Sequence, residues 1–253
     1  MLDIFSLKRK VALVTGGGSG LGRAMSLALC DAGAEVIVTG RRINKLKSVV
    51  EEIKKKGGSA FSVVIDVQDE TSIKNCLDKI KSMKMNIDIL VNNSGISGSS
   101  WAVKQKVEDW DAVINTNLRG TFLMCREVGK SMIKRKNGVI VNVSSVAGMI
   151  GIQKLAAYSS SKGGIIQLTK TLSQEWAKFG IRINTLAPGY FLTDINKDYF
   201  STESGKKMIE NHIPLNRIGI DNELSGAIVF LASEASSFMT GSTLVIDGGQ
   251  SSL

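Results

Sequence analysis

The chain has 253 residues, 43% of them hydrophobic, enough to bury the core of one large α/β domain or of two small ones. Its formal net charge is +9, but Lys and Arg are distributed along the chain without interleaved aromatic residues, which argues against a nucleic-acid partner. Its three cysteines are far apart and match neither a metal-binding spacing nor a disulfide framework, so we expect no metal site and a reducing compartment.

The first segment, Met1 to Lys10, has too short an apolar run for a signal peptide. No apolar run elsewhere approaches the length that a membrane-spanning helix needs. The sequence therefore predicts a soluble, cytoplasmic protein with no membrane partner.

A glycine-rich turn follows the first predicted strand. Val11 to Thr15 is apolar and rich in β-branched residues, Gly16 to Gly22 follows, and apolar residues then recur at helical spacing up to Gly33. Between a strand and a helix, glycines let the backbone approach a pyrophosphate, whose charge lies at the helix N-terminus. The segment therefore predicts a dinucleotide-binding turn; an ordinary glycine-rich turn is the alternative.

The second predicted strand ends without the acidic residue that commonly binds the adenosine ribose in NAD sites. Gly40 stands there, followed by Arg41 and Arg42. No carboxylate would repel a 2′-phosphate at this place, and two guanidinium groups can bind one. This charge pattern favours NADP over NAD, and a solvated basic loop that includes Lys45 and Lys47 is the alternative.

Strand-like segments alternate with helical patterns along the whole chain, which predicts a parallel sheet covered by helices on both faces. The only prolines are Pro188 and Pro214, and no linker or low-complexity tract divides the sequence. We therefore predict a single domain, residues 1–253. The candidate strands are 10–15, 34–39, 60–65, 87–92, 138–143, 181–186 and 243–247.

Candidate acid–base residues follow the fifth of these strands. Tyr158 and Lys162 are four residues apart, which on a helix puts the phenol and the ammonium on one face. A phenol normally keeps its proton until pH ~10. A neighbouring ammonium favours the phenolate, so we expect Lys162 to lower the pKa of Tyr158. Ser145, just past the strand, can direct its hydroxyl to the same place; an unremarkable helix surface is the alternative interpretation.

Taken in order, these motifs resemble those of the short-chain dehydrogenase/reductase family, in its single-domain branch. The resemblance covers essentially the whole chain. The sequence is similar to 3-oxoacyl reductases, and its segment Gly189-Tyr190-Phe191 with Thr193 also resembles gluconate 5-dehydrogenases. The family implies a doubly wound Rossmann sheet of seven parallel strands, a homotetramer, and hydride transfer with a nicotinamide cofactor. The motifs are the glycine turn, Asn92-Asn93-Ser94-Gly95, Asn117, Ser145, Tyr158 with Lys162, Pro188-Gly189 and Asp247-Gly248-Gly249.

The resemblance also implies roles for single residues. Tyr158 is the acid–base residue, Lys162 lowers its pKa and binds the nicotinamide ribose, and Ser145 holds the substrate oxygen. Asn117 positions a water that links Lys162 to solvent as a proton path. The expected cofactor contacts, besides Tyr158 and Lys162, are Gly16, Ser19, Gly20, Leu21 and Gly22 in the turn, Arg41 and Arg42 after the second strand, Asp66 and Val67 at the adenine, Asn93 and Gly95 near the adenosine ribose, and Pro188, Gly189 and Thr193 at the nicotinamide.

The chain departs from the family pattern at two places. Ser94 stands where the family usually has alanine, and because both are small we expect no loss. Ser19 stands where NADP-using members often carry a basic residue, which weakens the NADP prediction without reversing it, since Arg41 remains.

A segment rich in aromatic residues, 189–214, follows the expected nicotinamide turn. Its position favours a lid that closes over the substrate and excludes water. An ordinary pair of helices packed on the sheet is the alternative.

The predicted function is the NADP(H)-dependent interconversion of a ketone and a secondary alcohol, most simply a 3-oxoacyl thioester or similar carbonyl compound. A sugar-acid oxidoreductase similar to gluconate 5-dehydrogenase is the alternative, for which Lys154 is a possible partner of the substrate carboxylate or only a solvated loop lysine. A non-catalytic NADP-binding regulator is a third possibility, since fold alone does not decide function.

Overall fold

Seven parallel strands form one sheet in the computed structural model, which describes residues 3–192 and 197–252. The strand order is β3-β2-β1-β4-β5-β6-β7, which confirms the doubly wound, seven-stranded prediction. The strands are β1 (Val11–Thr15), β2 (Glu35–Gly40), β3 (Ala60–Val64), β4 (Ile89–Asn92), β5 (Gly138–Val143), β6 (Ile181–Pro188) and β7 (Thr243–Ile246).

Two strand bounds differ from the sequence prediction by two residues each. The fourth strand begins at Ile89 rather than at residue 87, and the sixth continues to Pro188, which pairs with Ile246 of β7. Pro188 is tolerated there because the pairing of β6 with β5 ends at Leu186, so the missing proline N–H breaks no bond of that ladder.

Helices cover both faces of the sheet, as predicted. One core packs α1, α2 and α9 against side chains such as Val14 and Val38; the other packs α3, α5 and α6 against Leu13 and Ile37. Successive residues of β1 enter opposite cores because side chains alternate across a strand. The helices are α1 (Gly20–Asp31), α2 (Ile43–Lys55), α3 (Glu70–Ser82), α4 (Val107–Ile114), α5 (Gly120–Arg135), α6 (Ala156–Trp176), α7 (Lys197–Phe200), α8 (Glu203–His212) and α9 (Ser225–Ala232).

The topology reverses direction between β1 and β4. Val14 of β1 pairs with Val38 on one side and with Val91 of β4 on the other, so the connections that leave these strands diverge. In open α/β sheets such a reversal leaves a crevice at the carboxyl ends of the strands, where ligands bind. The glycine turn and the Asn92–Gly95 motif both lie at this edge.

Helices α4 and α5 are joined by a π-helical stretch, Asn115–Arg119, that contains Asn117. Wider turns of this kind occur mostly at functional sites. Across residues 3–192 and 197–252, no helix is long and apolar enough to cross a membrane. Within the same ranges, no cluster of three or more His, Cys, Asp or Glu side chains could hold a metal ion.

Candidate active site

The glycine turn has the backbone conformation that glycines favour. Gly16 and Gly20 have φ angles of +64° and +50°, in the left-handed region that residues with a side chain rarely adopt. A Cβ on Gly22 would overlap the carbonyl oxygen of Gly16, so the first turn of α1 packs directly against the turn. The N-terminus of α1 is thereby fixed beside the end of β1, where its free N–H groups can bind a phosphate.

Asn93 and Thr15 join the glycine turn to the end of β4. The Asn93 amide donates to the carbonyl oxygens of Thr15 (3.0 Å) and Gly16 (3.3 Å). In return, Thr15 Oγ1 accepts from the backbone N–H groups of Asn93 and Ser94, both at 3.0 Å. The sequence interpretation missed this role of Thr15; a lone hydroxyl at the end of an apolar strand was the available signal.

A cavity of about 480 Å³ lies beside the glycine turn. Arg42 directly precedes α2 and donates from Nη2 to Ser19 Oγ at 3.4 Å, so its guanidinium lies close to the turn; Arg41 and Arg42 are both exposed. Lys45 lines the cavity and was considered in the sequence only as part of a solvated loop. The polar and charged cavity-lining residues are Ser19, Arg23, Lys45, Ser48, Lys197 and Asp221.

The two residues expected at the adenine, Asp66 and Val67, follow β3. Asp66 Oδ1 accepts from the backbone N–H of Gln68 at 3.0 Å, which fixes the carboxylate in a tight turn. Val67 is buried, and a Cβ on Gly120 would contact it. Both residues therefore lie on a well-packed segment near the carboxyl end of the sheet.

The nicotinamide side of the predicted site is only partly described. Gly189 follows β6 and donates its N–H to the carbonyl oxygen of Ile246 at 2.9 Å. Because a Cβ on Gly189 would lie 2.7 Å from Asp247 Cα, the chain passes close to the end of β7 here. Thr193 lies outside the described residues.

Tyr158 and Lys162 lie one turn apart on α6, as their spacing predicts. Lys162 Nζ is 5.5 Å from the centre of the Tyr158 ring and donates to the carbonyl oxygen of Val143, the last residue of β5, at 2.8 Å. The Ser144 hydroxyl donates to the carbonyl oxygen of Lys162 at 2.7 Å. These two bonds fix α6 against the end of β5, and Ser145 follows directly.

Burial dominates the electrostatics of this pair. It raises the pKa of Tyr158; hydrogen bonding with Ser145 acts in the opposite direction, and Tyr190 raises the pKa further. Burial lowers the pKa of Lys162 from 10.5 to about 8. The expectation of a lowered Tyr158 pKa was therefore wrong for this structure, because removing the phenol from water disfavours the phenolate.

Asn117 connects the Lys162 region to the segment after β4. Its Oδ1 accepts from the Ile96 N–H at 2.9 Å, and its Nδ2 donates to the Ile96 carbonyl at 2.9 Å and to Ser161 Oγ at 3.0 Å. A Cβ on Gly95 would lie 3.3 Å from Asn117 Oδ1 and 3.6 Å from Lys162 Nζ. The glycine turn, Asn93, Gly95, Asn117 and Lys162 therefore form one continuous set of contacts.

Two further residues adjoin this set and were not singled out from the sequence as site residues. Tyr190 is close enough to Tyr158 to raise its pKa, and the buried Gln250 hydrogen-bonds to Tyr190. The sequence places Tyr190 in the Gly189-Tyr190-Phe191 motif without giving it a role, and Gln250 has no motif of its own, so only the tertiary structure brings both to the site. The assembled site can polarise an oxygen through Ser145 and exchange a proton through Tyr158.

Known proteins with similar sequences and structures agree with this arrangement. The family model described as short chain dehydrogenase matches residues 10–204. The 3-oxoacyl-[acyl-carrier-protein] reductase FabG of Thermotoga maritima is 41% identical over 243 residues, which are 96% of this chain and 98% of that protein.

Solved structures match over nearly the full length of the chain. A gluconate 5-dehydrogenase from Burkholderia cenocepacia, in complex with NADP and tartrate, has a TM-score of 0.96 at 35% identity and covers 100% of this chain and 99% of its own. A 3-oxoacyl (acyl-carrier-protein) reductase from Agrobacterium tumefaciens, with NADP bound, has a TM-score of 0.93 at 30% identity and covers 98% and 97%. The chain belongs to the short chain dehydrogenase family and is an oxidoreductase.

Proposed function

We propose that the chain interconverts a ketone and a secondary alcohol with NADP(H) as cofactor. The observation that carries this proposal is the contact between the buried Lys162 ammonium and the Tyr158 ring, beside Ser145 and next to the glycine turn. Relatives named as reductases or dehydrogenases, several with NADP bound, support the same reaction class.

The residues present fit a dinucleotide phosphate. The turn at Gly16 and Gly20 and the N-terminus of α1 would hold the pyrophosphate, and Arg41 and Arg42 would hold the 2′-phosphate. The remaining cofactor contacts would come from Ser19, Leu21, Gly22, Asp66, Val67, Asn93, Gly95, Tyr158, Lys162, Pro188, Gly189 and Thr193. Bound NADPH supplies a hydride to the carbonyl carbon.

Ser145 and Tyr158 would act on the substrate oxygen. Ser145 Oγ accepts from the Ala147 N–H at 3.1 Å, so its own proton is the one it shares with Tyr158 and would donate to the carbonyl oxygen of a bound substrate. The raised pKa keeps Tyr158 protonated at neutral pH, so that in the reductive direction it is ready to donate. The burial that contradicts the sequence expectation thus suits a proton donor.

Lys162 and Asn117 would return the proton to Tyr158. A pKa of about 8 leaves Lys162 mostly protonated at neutral pH yet close to releasing its proton. Asn117 is held by Ile96 and Ser161, which fixes the amide that would position a relay water.

A 3-oxoacyl thioester is the substrate class that we favour, since it matches the names of the relatives at about 40% identity over nearly the whole chain. A sugar acid is the second candidate, supported by gluconate 5-dehydrogenases among the solved structures at 35% identity. A non-catalytic regulator is disfavoured because Ser145, Tyr158 and Lys162 are all present and in contact.

We further propose a cytoplasmic homotetramer whose 189–214 segment closes over the substrate. Exposed apolar side chains on α4 and α5, among them Trp110 and Phe122, support one interface. The fully exposed Phe238 and the edge strand β7 support a second. In the 189–214 segment, Phe200 packs edge-on against Tyr190 and Tyr199, and Tyr190 is near enough to Tyr158 to raise its pKa, which supports a lid.

The proposal is tested by following NADPH oxidation with acetoacetyl-coenzyme A and with 5-keto-gluconate, identifying the alcohol product by mass spectrometry. Ser145→Ala should lower kcat at least ~100-fold, because a donor to the developing oxyanion is lost. Ser160→Ala, at an exposed position of the same helix as Tyr158, is the control and should keep the original rate. No ketone-dependent NADPH oxidation, or an undiminished rate in Ser145→Ala, would overturn the proposal.

A further inference from the structure

Two loops, the segment after β4 and the segment after β5, form the rim of the candidate active site. One end of each loop belongs to the site. The segment after β4 contacts Asn117 and Lys162 through Gly95 and Ile96; the segment after β5 begins at Ser145 and leads to Tyr158. Away from the site, the two loops are joined. The Ser100 N–H donates to the carbonyl oxygen of Lys154 at 3.0 Å.

At this junction the Lys154 side chain is held over an aromatic ring. Its Nζ lies 5.0 Å from the centre of the Trp101 ring, and Trp101 is 50% exposed. An ammonium over an aromatic face is attracted by the ring quadrupole, which restricts a side chain that would otherwise move freely. The pair therefore presents a positioned cation and an accessible apolar surface at the rim.

The backbone of Lys154 is in a conformation that a lysine rarely adopts. Its φ angle is +66°, in the left-handed region. Lys136, another lysine with positive φ, ends α5, where this conformation is common. Lys154 instead precedes α6, where glycine would be less strained. Strain of this kind at the edge of a site points to a function of the side chain.

The electrostatic surroundings of Lys154 favour an anion. In the chain, Lys154 comes shortly before Ala156, the first residue of α6, and the N-terminus of a helix carries positive partial charge. Across residues 3–192 and 197–252, no carboxylate forms an ion pair with Lys154, whose side chain contacts the Trp101 ring. A cation placed next to another positive potential is stabilised when an anionic group binds between them.

Resting on the proposed function, we propose that Lys154 is a specificity-determining residue that binds an anionic group of the ketone substrate, with Trp101 packing against the adjacent part of that substrate. A carboxylate and a phosphate share the chemistry that Lys154 recognises. A sugar acid carries a carboxylate, and the coenzyme A or acyl carrier protein of a 3-oxoacyl thioester carries phosphate, so the assignment does not depend on the choice between the two substrate classes.

The test compares Lys154→Met with Lys178→Met. Lys178 is the matched control because its Nζ lies 5.2 Å from the ring of Phe179, after the end of α6, so the control also removes one charge and one ring contact. Each variant is assayed with 5-keto-gluconate, acetoacetyl-coenzyme A and the neutral ethyl acetoacetate. We expect Lys154→Met to raise KM roughly tenfold for an anionic substrate with kcat little changed, and to leave the neutral ester unaffected.

The arms of the experiment distinguish the source of the anionic group. A loss only with 5-keto-gluconate identifies a carboxylate, and a loss only with acetoacetyl-coenzyme A identifies a phosphate. Lys154→Arg should restore most of the KM. An equal effect on the neutral ester, or no difference from Lys178→Met, would overturn the assignment.

Two readouts are independent of turnover. Lys154→Gly should keep or raise the thermal midpoint of unfolding, because it relieves the positive φ, and should still lose the anionic substrate. Calorimetry on the NADP-saturated protein gives the Kd of 5-keto-gluconate and of acetoacetyl-coenzyme A directly. Tighter binding of either compound by the unmodified protein than by Lys154→Met supports the role of Lys154 even if no ketone is turned over, a result that would refute the proposed function alone. Equal or absent binding of both compounds refutes the role.

Discussion

Lys162 has an ammonium group that is removed from water, and this burial carries an energetic cost. The residue is 4% exposed, and the Val143 carbonyl accepts from its ammonium. One neutral acceptor does not replace the lost hydration, so burial lowers the pKa of Lys162 to about 8. The site therefore holds a lysine that is close to releasing a proton, at the expense of stability.

This cost predicts a pH-dependent stability. Below about pH 8, Lys162 is protonated in both the folded and the unfolded protein, and the folded protein bears the whole cost of burying the charge. Between pH 8 and 10.5 the unfolded chain binds more protons than the folded protein does. The free energy of unfolding therefore rises with pH in this range. Relative to Lys162→Met, the unmodified protein should gain up to about 3 kcal/mol across this window, measured by urea unfolding.

Lys170→Met is the control for that measurement, because Lys170 is exposed on the same helix. Its stability should follow that of the unmodified protein at every pH. Parallel curves for the unmodified protein and Lys162→Met would contradict the buried-lysine explanation.

We also expect single residues to decide the preference for NADPH over NADH. Replacing Arg41 and Arg42 together by Ala should raise KM for NADPH roughly tenfold or more, since charge-assisted bonds to a phosphate are lost. KM for NADH should hardly change, because NADH has no 2′-phosphate. Lys47→Ala, an exposed charge on α2, is the control. Equal KM values for NADPH and NADH in the unmodified protein would refute the charge argument.

At the scale of elements, the start of α1 is positioned by close backbone packing. A Cβ on Gly22 would overlap the Gly16 carbonyl and approach the Asn93 amide to 2.5 Å. The amide of Asn93 connects the glycine turn to the end of β4 through its hydrogen bonds. Any side chain at residue 22 must therefore displace the helix from the turn or break that connection.

Gly22→Ala should accordingly destabilise the fold by ~1–3 kcal/mol and abolish detectable NADPH binding. The matched control is Gly226→Ala on α9, where an added Cβ meets nothing within 4 Å. This control should stabilise the fold by ~0.5–1 kcal/mol, because alanine is the better helix former. Thermal unfolding and fluorescence titration measure both effects; unchanged NADPH affinity in Gly22→Ala would be incompatible with the proposed turn.

Sequence periodicity was sufficient to predict the seven strands and their alternation with helices along the chain, whereas the doubly wound topology was implied by the family resemblance. Strand runs such as Val139–Val143 are apolar and β-branched, and the i, i+4 spacing of Tyr158 and Lys162 by itself places both side chains on a common helix face. The direction of the Tyr158 pKa was not predictable in this way. It depends on burial by several distant segments, and the spacing of two residues contains no information on burial.

Contacts without a motif were likewise beyond sequence reasoning. Thr15 and Gln250 act through hydrogen bonds to residues distant in the chain, and Trp101 meets Lys154 only because two loops converge. The geometry of loops is set by tertiary packing rather than by local preference. The role expected for Thr193 stays a prediction.

At the scale of the whole molecule, the apolar surface on two sides of the sheet bears on assembly. Trp110 and Phe122 expose about 36% and 41% of their surface on α4 and α5, and Phe238 is fully exposed near β7. Two separate patches, each paired with its own copy in another protomer, would generate a tetramer with dihedral symmetry. The proposed homotetramer follows from burying both.

Introducing a charge at one patch should divide the assembly. Phe122→Glu should convert the tetramer into a dimer, because a desolvated carboxylate opposes burial of that patch. Light scattering coupled to gel filtration measures the mass. Val64→Glu, at an exposed apolar residue of β3 outside both patches, should remain tetrameric. A monomeric unmodified protein would contradict the assembly proposal and leave the active-site geometry unaffected.

The central claim is that Tyr158 gives a proton to a ketone oxygen as hydride arrives from NADPH. Its most direct test is the single-turnover rate of NADPH oxidation in Tyr158→Phe, with saturating ketone and with NADPH affinity measured separately. We predict a rate at least ~100-fold below that of the unmodified protein, with NADPH affinity retained, because general acid catalysis contributes roughly that much or more. A Tyr158→Phe protein that binds NADPH normally and oxidises it at the original rate would contradict the claim.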